Sequence, residues 1–164
     1  MIPQLCFFVS IAFALTAWGT VTARYIWPQL RLRQRTAALQ PLLALHGFRF
    51  LGLSFLVSGV VSPWLPSAFA RDAAYGDLIA AVLALLALVS LRGPAGIALT
   101  WVFNLWGLAD LLNAFYQAGH AGLQPGQLGA AYYIPTFIVP FLLITHGLVF
   151  RILLQRPNAQ SQRH

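Results

Sequence analysis

The sequence contains no lysine, a single cysteine and only three acidic residues. Charged residues make up 8% of the chain, whereas an ordinary soluble domain has about 25%. Hydrophobic residues make up 59% of the 164 positions. A chain of this size buries only part of its surface on folding, so a water-soluble core cannot hold so much apolar material. The composition therefore predicts a membrane protein with one domain.

The missing residue types also exclude several kinds of chemistry. Without lysine no Schiff base can form, which excludes a retinal protein. Cys6 alone cannot form an intrachain disulfide or a cysteine-based zinc cluster. The sequence has no serine elbow, no phosphate-binding loop and no metalloprotease helix motif. We therefore predict no catalytic residues and no metal ligands.

The net charge of +7 comes from arginines that mostly flank apolar runs. Arginines in such positions set membrane orientation and contact anionic lipid head groups. We therefore predict membrane lipids as partners and, in addition, partner membrane subunits or a homo-oligomer, and no nucleic acid. Eight arginines fall on one side of the predicted spans and only Arg71 on the other. This asymmetry predicts an N-terminus outside and a C-terminus in the cytoplasm.

Five apolar segments are each long enough to cross the ~30 Å hydrocarbon layer. They predict an all-α fold, a polytopic transmembrane helical bundle in one domain, 1–154, followed by a polar cytoplasmic tail, 155–164. The first segment lacks the features of a signal peptide, so we expect a retained helix. Pro28 interrupts the arginine-rich stretch 24–40, which we expect to form a short surface helix. The predicted spans are about 4–23, 41–62, 73–91, 95–117 and 130–154.

Four polar residues are predicted to converge in the inner half of the bundle. His46 and Arg49 lie about one turn apart in the second span, and a cation there costs about 2.5–3.5 kcal/mol on insertion scales. At ~1.5 Å per residue, His146 of the fifth span reaches the depth of His46, and Asn104 lies at a similar level. The candidate ligand-binding residues are therefore His46, Arg49, Asn104 and His146.

The two histidines have more than one interpretation. Interhelical hydrogen bonding, with Thr145 or Asn104 as the partner, is one. Ligation of a heme by both imidazoles is another, because the histidines share one depth. A zinc site fits less well, since two histidines without a carboxylate form an incomplete shell. The cofactor is left open, with heme b as one alternative.

A second polar group is predicted nearer the outer surface, formed by Asp77, Asp110, Asn113 and Gln117. The last three residues fall on one stripe of the fourth span. We expect Arg49 to pair with Asp110, because each is otherwise an unpaired intramembrane charge. The aspartates either specify the fold through hydrogen bonds or form a site that handles protons or cations.

Proline and glycine positions predict the shape of the bundle. Pro135 and Pro140 lie inside the fifth span, so this helix should bend and wall a polar pocket. Small residues such as Gly52 and Gly107 should let neighbouring helices approach closely.

Short motifs in spans two to four resemble a pattern in small, uncharacterised bacterial multi-span membrane proteins. The motifs are Pro66-x-x-Phe69-Ala70, Ala74-Tyr75-Gly76-Asp77 and Trp101-x-x-Asn104-x-x-Gly107-x-x-Asp110. The resemblance implies a multi-pass protein of the bacterial inner membrane and carries no assigned activity.

Three functions fit these predictions. The first is binding of a small lipophilic ligand or cofactor, of heme or quinone type, in a polar intramembrane pocket. The second is a structural or accessory subunit whose polar groups only specify helix packing. The third is a proton-linked transporter that uses Asp77 and Asp110.

Overall fold

The computed structural model describes residues 2–155, and this part of the chain is all-helical. Within it, five helices are long enough and apolar enough to cross a membrane. We name them α1 to α5, with the bounds Ile2–Leu30, Arg35–Leu56, Ser67–Ser90, Ala95–His120 and Ile134–Leu154. A short 3₁₀ helix, Pro125–Tyr132, precedes α5. Except for Gln155, the predicted polar tail lies outside the described residues.

The first helix continues through Pro28, where the sequence predicted a break. The segment Thr22–Ile26 is π-helical, and the N–H of Trp27 donates to the carbonyl of Thr22, five residues earlier. This wider turn accommodates a proline, which lacks an N–H and crowds the preceding turn of a regular α-helix. The α-helix resumes and ends at Leu30, so the expected separate surface helix over 24–40 is wrong.

A π-helical turn next to a proline also occurs at the start of α5. Its first turn, Ile134–Ile138, is π-helical, and the N–H of Val139 donates to the carbonyl of Ile134. Pro140 follows directly inside the α-helical part, Val139–Leu154. The prolines of α5 thus change the helix type at its N-terminal end without ending the helix.

The second helix changes from one helix type to another near its middle. It is α-helical over Arg35–His46 and 3₁₀-helical over Gly47–Leu56. A 3₁₀ run of this length is uncommon, which indicates that packing against neighbouring helices imposes the tighter coil. The helix ends before the expected residue 62, because Val57 is extended and Gly59 has a φ of 85°. That left-handed backbone favours glycine.

The third helix lies at the centre of the bundle, against α2 and α4. It begins at Ser67, earlier than the expected residue 73. Four alanines on its buried faces are inaccessible to solvent, and their small side chains allow the close approach of both neighbours. They are Ala74, Ala80, Ala84 and Ala87.

The first helix, in contrast, is peripheral. None of the residues Ile2–Val21 is buried, and α1 packs mainly against α5. The indole of Trp18 stacks on Phe141 with ring centroids 4.2 Å apart, and its Nε1 donates to the carbonyl of Phe137 at 3.1 Å. Most of the apolar surface of α1 therefore faces outward.

Two apolar cores lie on either side of a layer of polar side chains. We call the first the arginine-side core, because it lies at the end of the bundle that carries Arg35 and Arg151. It contains Leu39, Leu43, Ala84, Phe103 and Val149 among others. We call the second the cavity-side core, because it borders a cavity described below. It contains Phe55, Phe69, Leu111, Leu128 and Ile134 among others. Along α2, α4 and α5 the residues between these cores form the polar layer, together with Asp77 of α3. Its members are His46, Arg49, Asp77, Asn104, Asp110, Thr145 and His146.

Candidate functional site

Arg49 is the centre of the polar layer and is only 3% exposed. Its Nε donates to Oδ1 of Asp77 at 2.7 Å, and its Nη2 donates to Oδ2 of Asp110 at 2.6 Å. The guanidinium therefore forms ion pairs with both carboxylates. The predicted pairing of Arg49 with Asp110 is confirmed, whereas the pairing with Asp77 was not predicted.

The predicted inner and outer groups meet in the structure, because Arg49 of the inner group pairs with both Asp77 and Asp110 of the outer group. These side chains form one cluster around the guanidinium. Two other members of the predicted outer group, Asn113 and Gln117, do not join this cluster: Asn113 is exposed and Gln117 half-buried.

Three glycines make room for the charged side chains. A Cβ at Gly52 would overlap the carboxylate of Asp77, and one at Gly76 would overlap that of Asp110. A Cβ at Gly107 would lie 2.7 Å from Nη1 of Arg49. The carbonyl of Gly107 also accepts a hydrogen bond from this Nη1 at 3.0 Å. Close helix contacts at small residues, predicted for Gly52 and Gly107, thus serve to place the ion pairs.

Asn104 orients His146 toward the guanidinium. The Nδ2 of Asn104 donates to the backbone carbonyl of His146 at 3.3 Å, so its Oδ1 faces the imidazole Nδ1 at 2.7 Å. An amide oxygen can only accept, so Nδ1 carries the proton and Nε2 is left as an acceptor. This Nε2 lies 3.3 Å from Nη1 of Arg49, which donates to it. Neutral His146 therefore extends the polar layer without adding charge.

His46 packs against His146 and forms a hydrogen bond through only one of its ring nitrogens. Its Nε2 is 3.0 Å from Oγ1 of Thr145, and that hydroxyl also lies 2.9 Å from the carbonyl of Leu142. Since a hydroxyl has a single proton, donation to the carbonyl makes His46 Nε2 the donor to Thr145. Within the described part of the chain, Nδ1 of His46 has no hydrogen-bond partner.

The two imidazoles contact each other, with ring centroids 4.3 Å apart, and both pack on Phe103. A heme ligated by both histidines would need the iron and porphyrin between the rings. This packing leaves no such space. The interhelical hydrogen bonds predicted as the alternative, with Thr145 and Asn104 as partners, are present.

The structure has a cavity that borders the two aspartates and not the two histidines. A cavity of about 410 Å³ extends from Asp77 and Asp110 to the loop after α4. Its walls are mostly apolar, and neither His46, Arg49, Asn104 nor His146 lines it. At the far end Nε2 of Gln4 donates to Oε1 of Gln124 at 3.0 Å, which joins α1 to that loop. Of the predicted site residues, Asp77 and Asp110 face the cavity.

Sequence reasoning missed the cavity because its walls consist of ordinary apolar side chains. Five phenylalanines from four segments line it: Phe7, Phe8, Phe55, Phe69 and Phe115. In sequence they are indistinguishable from lipid-facing or core residues. The one available signal was the pair of prolines in α5, which predicted that this helix walls a polar pocket. Pro135, Ile134 and Val139 do line the cavity, but its walls are mostly apolar.

The chemistry of the cavity is that of an apolar chamber with acceptors at one end. Two carboxylates supply the charged lining groups, and a volume of this size falls within the range of small-molecule pockets, about 300–1,000 Å³. Residues 2–155 contain no group of three or more histidine, cysteine or acidic side chains placed to hold a metal ion. The arrangement can bind a largely apolar ligand that carries a hydrogen-bond donor or a positive charge.

Comparisons with known proteins identify a family for this chain. Neither the curated proteins nor the solved structures contain a match to this chain. One protein family does match, over residues 6–154, and its description is a domain of unknown function. This confirms the prediction of an uncharacterised family. The chain belongs to the family described as "Domain of unknown function (DUF8737)".

Proposed function

We propose that this protein is a multi-pass protein of the bacterial inner membrane that binds a small lipophilic molecule in the cavity beside Asp77 and Asp110. The cavity itself carries the proposal, because it joins an apolar chamber to the buried ion-pair cluster. Ligand pockets commonly combine apolar walls with a few polar groups that orient the guest. The proposed site therefore includes Asp77 and Asp110. Of the four residues first predicted to bind a ligand, only Arg49 contacts these carboxylates.

The proposed orientation has the N-terminus outside and the C-terminus in the cytoplasm. This orientation is supported by basic residues that lie at the same end of the bundle. The guanidinium of Arg151 lies 4.1 Å from the ring centroid of Trp27, and Arg35 donates to the carbonyl of Leu153. Positive charge at one end of the spans favours the cytoplasmic side for that end. The cavity then opens toward the outer half of the membrane.

The lining groups narrow the chemistry of the guest. A carboxylate accepts hydrogen bonds and donates none when ionised, so the matching head group is a donor such as a hydroxyl or an amine. A quinone presents only acceptor oxygens, whereas its reduced quinol form presents hydroxyls. Among lipophilic cofactors the cavity therefore fits a donor-bearing form better than a quinone.

A second candidate function is that of a structural or accessory subunit. It is favoured by the internal pairing of Arg49, which forms hydrogen bonds with Asp77, Asp110, Gly107 and His146. Such a network can specify a single helix arrangement without binding anything. Under this alternative the cavity would hold only disordered lipid chains.

Native mass spectrometry of the protein, extracted from its membrane in mild detergent, separates the two functions. We expect a defined small-molecule adduct on the wild-type protein and its loss in Ala114→Trp, because Ala114 lines the cavity. The matched control is Leu112→Trp, which adds an indole at an exposed position of the same helix and should retain the adduct. An adduct that persists in Ala114→Trp, or a wild-type protein carrying only a mixture of lipids, would contradict ligand binding in the cavity.

A further inference from the structure

The cavity has a charge imbalance at its inner end. Within residues 2–155, Arg49 is the only cation within ion-pair distance of Asp77 or Asp110. A single guanidinium thus faces two carboxylates, and neutral His146 contributes no charge. With both carboxylates ionised, one negative charge is left without compensation in a largely apolar surrounding, where an unpaired charge is costly. Something that enters the cavity can supply the missing positive charge.

We propose, on the basis of the cavity site put forward above, that the guest is a lipophilic amine whose ammonium group meets Asp77 and Asp110. Charge complementarity favours this class over an anion, because no basic side chain lines the cavity in the described part of the chain. The apolar body of the amine would fill the chamber between α1, α3 and α4.

The aromatic walls favour the same class of guest. Five phenylalanine side chains surround the chamber, and Phe55 and Phe69 among them are buried and packed edge to face. The negative face of an aromatic ring attracts an ammonium group by about 0.5–2 kcal/mol, depending on desolvation. Aromatic walls and acidic groups together form a common solution for holding an organic cation. A neutral guest would use the walls but not the excess negative charge.

A proton bound to one carboxylate would balance the charge equally well and would leave the guest neutral. Three probes of similar shape distinguish these cases: phenylbutylamine, which is an ammonium at neutral pH, phenylbutanol and phenylbutanoate. The amine and the alcohol both carry donors, so they differ mainly in charge. Binding is measured by isothermal titration calorimetry of the full chain in an uncharged detergent, with empty micelles as the blank.

We expect wild-type protein to bind the amine at least about tenfold more tightly than the alcohol and to bind the carboxylate most weakly, since charge pairing is strong in a low dielectric. Asp110→Asn removes the excess negative charge and leaves the pair of Arg49 with Asp77. In this variant the preference for the amine should fall to within about twofold. Asp72→Asn removes an equal charge from an exposed position of α3 and should leave the preference unchanged.

The outcomes separate this inference from the proposed function. Equal binding of amine and alcohol, with both lost in Ala114→Trp, would overturn the cationic guest and keep the cavity as a ligand site. Probes that bind wild type and Ala114→Trp alike, or bind neither, would overturn both proposals. If Asp110→Asn does not fold, the wild-type comparison of amine with alcohol still decides the question.

Discussion

The two apolar cores of this protein are built from similar residues but differ in how completely they are filled. The arginine-side core packs Leu39, Leu43, Phe103 and Val149 with no exposure to solvent. The cavity-side core contains Phe55, Leu128 and other buried side chains yet leaves a cavity of about 410 Å³. Interiors of proteins are normally close-packed, so the unfilled core beside two carboxylates is the feature on which the proposed ligand site rests. The polar layer separates these two regions, and each prediction below changes one side of it.

Replacement of Arg49 by alanine should have the largest effect. The buried carboxylate of Asp77 and the half-buried one of Asp110 would lose their cation, and breaking a buried ion pair costs about 3–5 kcal/mol. The free energy of unfolding, measured by denaturing-detergent titration in mixed micelles, should fall accordingly. Arg71→Ala is the control, because Arg71 is exposed. A double-mutant cycle of Arg49→Ala with Asp110→Asn should show strong coupling; additive effects would contradict a stabilising pair.

Gly76→Ala tests whether close helix approach is needed to place Asp110. Alanine normally favours a helix by about 1 kcal/mol over glycine, but here its Cβ would overlap the Asp110 carboxylate. We expect a net loss of about 3 kcal/mol, the upper end of overpacking effects. Gly19→Ala in α1, where no atom lies within 4 Å of the added Cβ, should be neutral or stabilising. Equal effects of the two substitutions would show that the contact between α3 and α4 can relax.

Adding the same side chain to both cores tests their difference directly. Ala84→Leu inserts methyl and methylene groups into the filled arginine-side core and should cost about 2 kcal/mol. Ala114→Leu points into the cavity and should change the free energy of unfolding by less than about 0.5 kcal/mol. Thermal unfolding in one detergent measures both variants. A similar cost for the two would mean that the cavity-side core has no spare volume.

Asn104→Ala should have a smaller effect, because it removes hydrogen bonds and leaves the ion pairs. The imidazole of His146 would lose its acceptor, and leaving a buried donor unpaired costs about 1–2 kcal/mol. Asn113→Ala on the exposed face of the same helix is the matched control and should be close to neutral. If both variants unfold at the same denaturant concentration, the orientation of His146 does not depend on Asn104.

Several parts of the fold could be predicted, because a polar residue in an apolar chain has few other residues with which it can form a hydrogen bond or an ion pair. Arg49 had to find an acidic partner, and the sequence offers only three acidic residues, so the pair with Asp110 followed. The shared depth of His46 and His146 followed from counting residues from the helix ends. The starts of α2 and α3 were predicted too late in the chain, because apolar content marks only the apolar part of a helix and the helix can extend beyond it.

The parts that escaped prediction depend on how helices pack. The packing of α3 against α2 brought Asp77 to Arg49, and no pattern in the residues of α2 predicts its 3₁₀ segment. The π-helical turns absorbed Pro28 and Pro140, whose effect on a regular helix would be a break or kink. The cavity is a gap between side chains from distant segments, so no local pattern encodes it.

The sequence by itself determined that five apolar helices form, that they are flanked by arginine, and that a buried cation needs a carboxylate. These properties follow from hydropathy and charge, which each segment carries alone. Only the tertiary structure decided that two carboxylates share one guanidinium, that the two histidines pack against each other, and that the open space lies beyond them. Those features depend on which faces of separate helices meet, since a contact between distant residues belongs to neither residue alone.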